Sequence, residues 1–190
     1  MPQMVIGIIG ENGAGKGTLI KMLCEELGEG CAVLSTGRIL LQTLASWHIP
    51  PTRANMQLLP VVMEQTYGIG ALARVMSADI ARSQEPIVFY DAVRWPSDVQ
   101  AVRRSEQRNI LVYVTAEKQL RYERLRLRRQ KAGEEYMTWE QFLAEEEAAT
   151  EVMIPVLARR ADTVISNNGN EANLRMQARA LRDTIQAVLA

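Results

Sequence analysis

Between an apolar run, Val5-Ile6-Gly7-Ile8-Ile9, and a stretch with helical spacing lies the string Gly10-Glu11-Asn12-Gly13-Ala14-Gly15-Lys16-Gly17-Thr18. Strand, glycine loop and helix in that order form a cradle for a phosphate chain. Backbone N–H groups at the helix N-terminus supply fixed positive dipole ends, and glycines let the backbone approach the anion closely. Lys16 adds a point charge that can span the outer phosphates, while the first helical turn near Gly17 and Thr18 directs its unpaired N–H groups at them. The ligand this string predicts is ATP or GTP with magnesium.

The general pattern places Ser or Thr directly after the lysine, where its hydroxyl ligates magnesium. Here Gly17 follows Lys16 and Thr18 comes one place later. That shift predicts a metal held largely through waters, with Thr18 closer to the inner phosphate.

A chain of 190 residues, 47% of them apolar, is long enough for one α/β core and too short for two ordinary domains. Strands are expected at 5–9, 32–35, 87–90, 110–115 and 163–165, with helical patterns between them. Short apolar strands separated by helices imply a five-stranded parallel sheet covered on both faces, with ligands outside the strands' carboxyl ends. The fold class expected is therefore α/β, a three-layer P-loop NTPase architecture. Its core is assigned to 1–36, 86–120 and 160–190, with a helical acceptor-site insertion at 37–85 and a lid-like helical insertion at 121–159. Within the second insertion, a turn is expected at Ala132-Gly133, Thr138 with Gln141 has the form of a capping box, and Pro155 is expected to kink or end the helix. Gly68-Ile69-Gly70-Ala71-Leu72-Ala73 fits a dinucleotide-binding string, but no strand precedes it, so the glycines are read as separating two helices.

The formal net charge is zero, which gives no global field for recruiting nucleic acid or an anionic membrane, so neither partner is expected. Residues 1–4 run straight into the first strand and no apolar span approaches ~20 residues, so a cytoplasmic location is expected. Cys24 and Cys31 belong to no metal-binding spacing and are read as reduced, buried thiols. His48 is the only histidine, which argues against a histidine-based triad or multi-histidine metal centre.

Asp91 closes the run Ile87-Val88-Phe89-Tyr90, placing a carboxylate at the sheet edge beside the glycine loop, where it suits a magnesium-holding role. Arg94, three residues on, can grip an acceptor phosphate bidentately. Arg103 and Arg104 follow on a helix and are read as solvated. Arg121, Arg124 and Arg128, flanked by Arg129, share one helical face and are read as lid arginines that balance transition-state charge.

These residues resemble a known family. Gly10 to Thr18 is similar to the loop of adenylate and other nucleoside monophosphate kinases, and Ser35-Thr36-Gly37-Arg38-Ile39-Leu40 resembles the segment with which adenylate kinases begin their acceptor site. The resemblance implies that Thr36 and Gly37 contact the acceptor, and it makes Asp91-Ala92-Val93-Arg94 a shortened form of the motif carrying the acceptor-phosphate arginine. The chain departs from the adenylate kinase pattern at Leu41, where an arginine would stand, and at Arg38, where an aspartate would. A broader resemblance is to a largely archaeal adenylate-kinase-like family of P-loop kinase-like proteins, echoed at Tyr67-Gly68, Asp91 to Arg94, Arg121 with Glu123-Arg124, Trp139-Glu140 with Phe142, and Asn167-Asn168-Gly169. The last segment resembles the loop that packs on the adenine in dephospho-CoA kinases, although it also reads as a polar turn capping the final helix.

Three functions remain in view. The first is an ATP- and magnesium-dependent phosphotransferase acting on a nucleoside monophosphate or nucleotide-like acceptor, with Lys16, Asp91, Arg94, Arg124 and Arg128 as its catalytic set. Gly10, Asn12, Gly13, Ala14, Gly15, Gly17, Thr18 and Asn167 to Gly169 then bind the donor, and Thr18 and Asp91 serve the metal. A dephospho-CoA kinase-like enzyme, in which Asp91 is the base for a hydroxyl acceptor, is the variant. The third is a slowly hydrolysing NTP switch that binds a protein partner.

Overall fold

Parallel pairing of the apolar runs decides the architecture. The computed structural model describes residues 2–28, 30–104, 106–128 and 134–189; Arg129 and the turn expected at Ala132-Gly133 lie outside the described residues. Each expected strand is present: β1 (Met4–Ile9), β2 (Cys31–Ser35), β3 (Ile87–Val93), β4 (Arg108–Thr115) and β5 (Thr163–Ser166), in the spatial order β2-β3-β1-β4-β5 and all parallel. β3 runs two residues past Asp91, because Ile9 pairs with Val93 after a register shift next to Ile8.

Side-chain alternation along β1 divides the core between the two faces. Met4, Ile6 and Ile8 face the stripes of α1 (Lys16–Leu27) and α9 (Glu171–Leu189), where Leu174, Ala178, Leu181 and Ile185 recur at helical spacing. Val5 and Ile9 face α4 (Ala71–Arg82), α5 (Pro96–Arg103) and α8 (Ile154–Ala158). Gly7 belongs to this second face, and a Cβ there would lie 2.6 Å from Leu111 Cδ2 and 2.9 Å from Val102 Cγ2. Only a glycine lets α5 pack that closely on the sheet.

The segment between β2 and β3 forms α2 (Thr36–Ser46), α3 (Arg53–Tyr67) and α4, with Gly68 to Gly70 separating the last two as expected. Leu40, Leu44, Leu59 and Leu72 make a core of their own there. After β4 come α6 (Lys118–Arg128), a 3₁₀ turn (Glu134–Tyr136) and α7 (Trp139–Glu146). These are joined by Leu125, Met137 and Phe142 and by an edge-on Tyr122–Trp139 contact with ring centroids 5.3 Å apart. The Thr138–Gln141 capping box is present in both directions, at 2.8 and 3.2 Å.

Three local expectations are corrected. Pro155 neither kinks nor ends a helix; it sits in the first turn of α8, where its missing N–H costs nothing and its fixed φ suits the helix. Arg103 is not simply solvated, because it donates to Asp162 at 2.8 Å and to Asn109 at 2.9 Å and so ties α5 to the sheet. Cys24 and Cys31 are free thiols, half-buried rather than buried. Gly7→Ala should destabilise the protein by ~1–3 kcal/mol through overpacking, measured by urea unfolding, whereas a solvent-facing Gly17→Ala should show no such loss.

Candidate active site

The loop after β1 is held open by its glycines and by what packs around it. Gly13 and Gly15 take φ of 80° and 97°, which L side chains rarely adopt. A Cβ on Gly13 would lie 2.6 Å from the Arg121 carbonyl oxygen, and one on Gly15 would strike the Asn167 amide. That amide donates to the Ala14 carbonyl at 2.8 Å, bracing the loop from the C-terminal end of β5. Lys16 opens α1 and folds back over the loop, donating to the Gly10 carbonyl at 2.7 Å and the Glu11 carbonyl at 2.9 Å. Burial of its ammonium, reinforced by the charge of Arg94, brings its pKa down to about 8.

The facing wall comes from β2 and β3. Ser35 pairs with Asp91 in the sheet, so Thr36 and Gly37, which begin α2, stand beside the Asp91 carboxylate. Asp91 Oδ1 is buried and has no hydrogen-bond partner among the described residues. Beyond it Asp98 sets the turn that carries Arg94. Its buried carboxylate accepts from the backbone N–H groups of Arg94 at 2.9 Å and Trp95 at 3.0 Å and from the Tyr90 hydroxyl at 2.7 Å. Burial pushes the Asp98 carboxyl above its ordinary value despite these donors.

Arg94 is engaged on both prongs. Nη1 donates to the Thr150 carbonyl at 3.1 Å and pairs with Glu151, and Nη2 donates to Asn12 Oδ1 at 3.1 Å in the glycine loop. Glu151 is 5% exposed. Burial alone would raise its pKa, but the charges of Arg94, Lys16 and Arg53 outweigh burial and hold it below the usual carboxylate range. Arg53, at the start of α3, meets Glu145 of α7 at 3.0 Å and so joins the two helical insertions.

The α6 arginines divide. Arg121 is 3% exposed, forms a bidentate pair with Glu146 at 2.8 and 2.6 Å, and donates to the carbonyls of Ala116 at 3.0 Å and Asn12 at 3.3 Å. It therefore buttresses the loop from behind and is not part of an exposed stripe. Arg124 and Arg128 turn instead into the cavity, and Arg124 Nη1 is buried without a hydrogen-bond partner among the described residues.

One cavity of about 1250 Å³ gathers most of the expected residues: Asn12, Gly13, Gly15, Lys16, Gly17 and Thr18 from the loop, Thr36 and Gly37 from α2, Asp91 and Arg94 after β3, and Arg124 and Arg128. Gly10 and Ala14 lie beneath it, the first accepting from Lys16 and the second fully buried. Asn167, Asn168 and Gly169 do not line it. Asn167 braces the loop, Asn168 accepts from the Glu117 N–H at 2.8 Å, and Gly169 packs on Asn173. Sequence reasoning missed Glu151, Asp98, Gln57 and Arg53. Glu151 follows an acidic helix that reads as solvated surface, and only its contact with Arg94, 57 residues away in sequence, reveals it.

A family profile described as an AAA domain matches residues 9–142, well over half of the chain. The chain belongs to this AAA domain family. Its fold is the P-loop kinase-like one, as the five-stranded parallel sheet predicts. The expected archaeal kinship is borne out by UPF0200 protein PH1008 of Pyrococcus horikoshii, 28% identical over 170 residues that cover 87% of this chain and 88% of that protein. Among solved structures, a shikimate kinase from Bacteroides thetaiotaomicron is similar at TM-score 0.66 and 15% identity, covering 96% of this chain and 98% of that one. A gluconokinase from Sinorhizobium meliloti is similar at TM-score 0.58 and 14% identity, covering 99% and 95%. At these identities the likeness is one of fold, and it places this AAA domain protein among P-loop kinase-like structures.

Two outcomes are expected of this site. Arg121→Met should cost ~3–5 kcal/mol in urea unfolding by stranding Glu146, and adding Glu146→Leu should recover most of that loss. For Lys16, a bound polyphosphate restores the proton that burial makes labile. At pH 8, tripolyphosphate binding should therefore take up about half a proton, seen by calorimetry in buffers of different ionisation enthalpy. Affinity should fall as pH rises above about 8, because there only the complex still holds that proton.

Proposed function

We propose that the protein is an ATP- and magnesium-dependent phosphotransferase that acts on a small, nucleotide-like acceptor. The observation that carries this reading is the confrontation, across one cavity, of the Lys16 loop with Asp91 and the α2 start. The loop's backbone N–H groups and Lys16 bind the donor's phosphates, and Thr18 lies near the inner one. Asn167 acts from below the loop and fixes its shape. Phosphoryl transfer asks little covalent chemistry of the protein, so positioning and charge neutralisation suffice.

Magnesium fits the residues present. Asp91 Oδ1 is a buried carboxylate oxygen without a protein partner, and Thr18 lines the same cavity. When bound, the ion would neutralise the donor's phosphates; Asp91 and Thr18 would hold it, largely through waters. The acceptor lies between Thr36, Gly37 and Arg94, while Arg124 and Arg128 approach from α6 to offset charge on the transferring group. Among the described residues no helix is long and apolar enough to cross a membrane, and a cytoplasmic site of action is part of the proposal.

The test is ADP release from Mg-ATP, alone and with nucleoside monophosphates, nucleosides, dephospho-CoA, shikimate and gluconate. Stimulation by one acceptor, with its phosphorylated product seen by mass, is the expected result. Slow release that no acceptor alters would favour a nucleotide switch instead. Lys16→Ala should abolish release, and Asp91→Asn should lower kcat by ~10²-fold or more with nucleotide binding retained.

A further inference from the structure

We propose that Glu151 closes Arg94 to an acceptor's phosphate, and that the group receiving the phosphoryl is an uncharged hydroxyl bound by the carboxylate of Glu151. The inference rests on the phosphotransferase reading of the cavity and narrows its acceptor.

Arg94 already spends Nη1 on Glu151 and the Thr150 carbonyl, and Nη2 on Asn12. Its guanidinium charge is met by a carboxylate that is itself 5% exposed. The backbone that carries it is anchored on both sides, since the Glu151 N–H donates to Ala148 O at 2.8 Å and its carbonyl accepts from Ile154 N at 3.0 Å, and the carboxylate itself also accepts from the Thr150 hydroxyl at 3.3 Å. A phosphate arriving at Arg94 would therefore meet a fixed negative charge.

The polar atoms left over in the cavity match a different ligand. Glu151 Oε2 is buried with no hydrogen-bond partner among the described residues, and Glu151 lines the cavity with Lys16. An ionised carboxylate only accepts, so this oxygen needs a donor. A hydroxyl offers one, whereas a phosphomonoester dianion does not. From α3, Gln57 Nε2 is a buried donor with no partner among the described residues and complements a carbonyl or ring nitrogen elsewhere on the same molecule. In the reaction the hydroxyl oxygen bonds to the γ-phosphorus of ATP. The bond from that phosphorus to the β–γ bridging oxygen breaks, ADP leaves with the electron pair, and the hydroxyl proton passes to the Glu151 carboxylate that binds it.

The experiment fills the donor site with Mg²⁺ and the non-hydrolysable analogue AMP-PNP, then titrates AMP and, separately, orthophosphate by calorimetry. Wild type should bind neither, and Glu151→Gln, which keeps the shape and removes the charge, should bind both at least about tenfold more tightly than wild type. Equal binding by the two proteins, or none by either, overturns the proposal. A second measurement needs no variant: phosphorylation of AMP, CMP, GMP or UMP at the phosphate overturns it, and phosphorylation of an alcohol in that panel supports it. Failure of AMP-PNP itself to bind would overturn the phosphotransferase reading and is observed separately, before any acceptor is added.

Discussion

The pairing of β1 with β3 is the constraint on which the site depends. Ile8 lies opposite Asp91 in that ladder, so the loop that leaves β1 and the carboxylate that leaves β3 emerge side by side at one sheet edge. No loop conformation could achieve this if the strands were ordered as they occur in the chain. Placing β3 between β1 and β2 leaves room for α2, α3 and α4 to be built between them in sequence, so that wall of the cavity hangs from strands that are rigid on both sides. Gly7 shows how tightly this arrangement is drawn, because it is the residue that lets α5 reach the sheet and carry Asp98 to the turn that aims Arg94.

Charge compensation is the second organising force. A cavity with Lys16, Arg53, Arg94, Arg124 and Arg128 on its walls would repel itself, and the protein answers with carboxylates from one short stretch, Glu145 and Glu151, while Glu146 between them pairs with Arg121. These pairs differ in kind. Arg121–Glu146 is bidentate and buried behind the loop, where it fixes packing, whereas Arg94–Glu151 stands at the cavity wall, where it shapes what can enter. Because Glu151 answers three cations at once, its carboxylate stays ionised in spite of burial.

The glycine loop, the five strands and the identity of the residues at the sheet edge were legible in the sequence because each rests on local information: apolar runs of strand length, glycines next to a lysine, an acid at a strand end. Lys16, Asp91, Thr36 and Arg94 meet as those patterns imply. What stayed hidden depends on partners far along the chain. Arg121 and Arg124 look alike on a helical wheel, yet Glu146 buries one behind the loop and leaves the other with an unpaired nitrogen at the cavity. Asn167 had the opposite fault: a motif suggested the nucleotide's base, while its side chain reaches the Ala14 carbonyl. Pro155 misled because a proline inside a helix and one at a helix start are the same letter until the preceding turn is known.

Asn12 joins the two halves of the site. Its side-chain oxygen accepts from Arg94 after β3, while its carbonyl accepts from Arg121 behind the loop. The glycine loop is thus tied to the β3 turn through one side chain and to α6 through one backbone oxygen. Under the proposed phosphotransferase reading, a loop that moved on binding the donor's phosphates would carry both partners of Asn12 with it, and Arg94 brings Glu151 into the same chain of contacts. Any acceptor affinity changed in that way would, by linkage, change nucleotide affinity by the same factor.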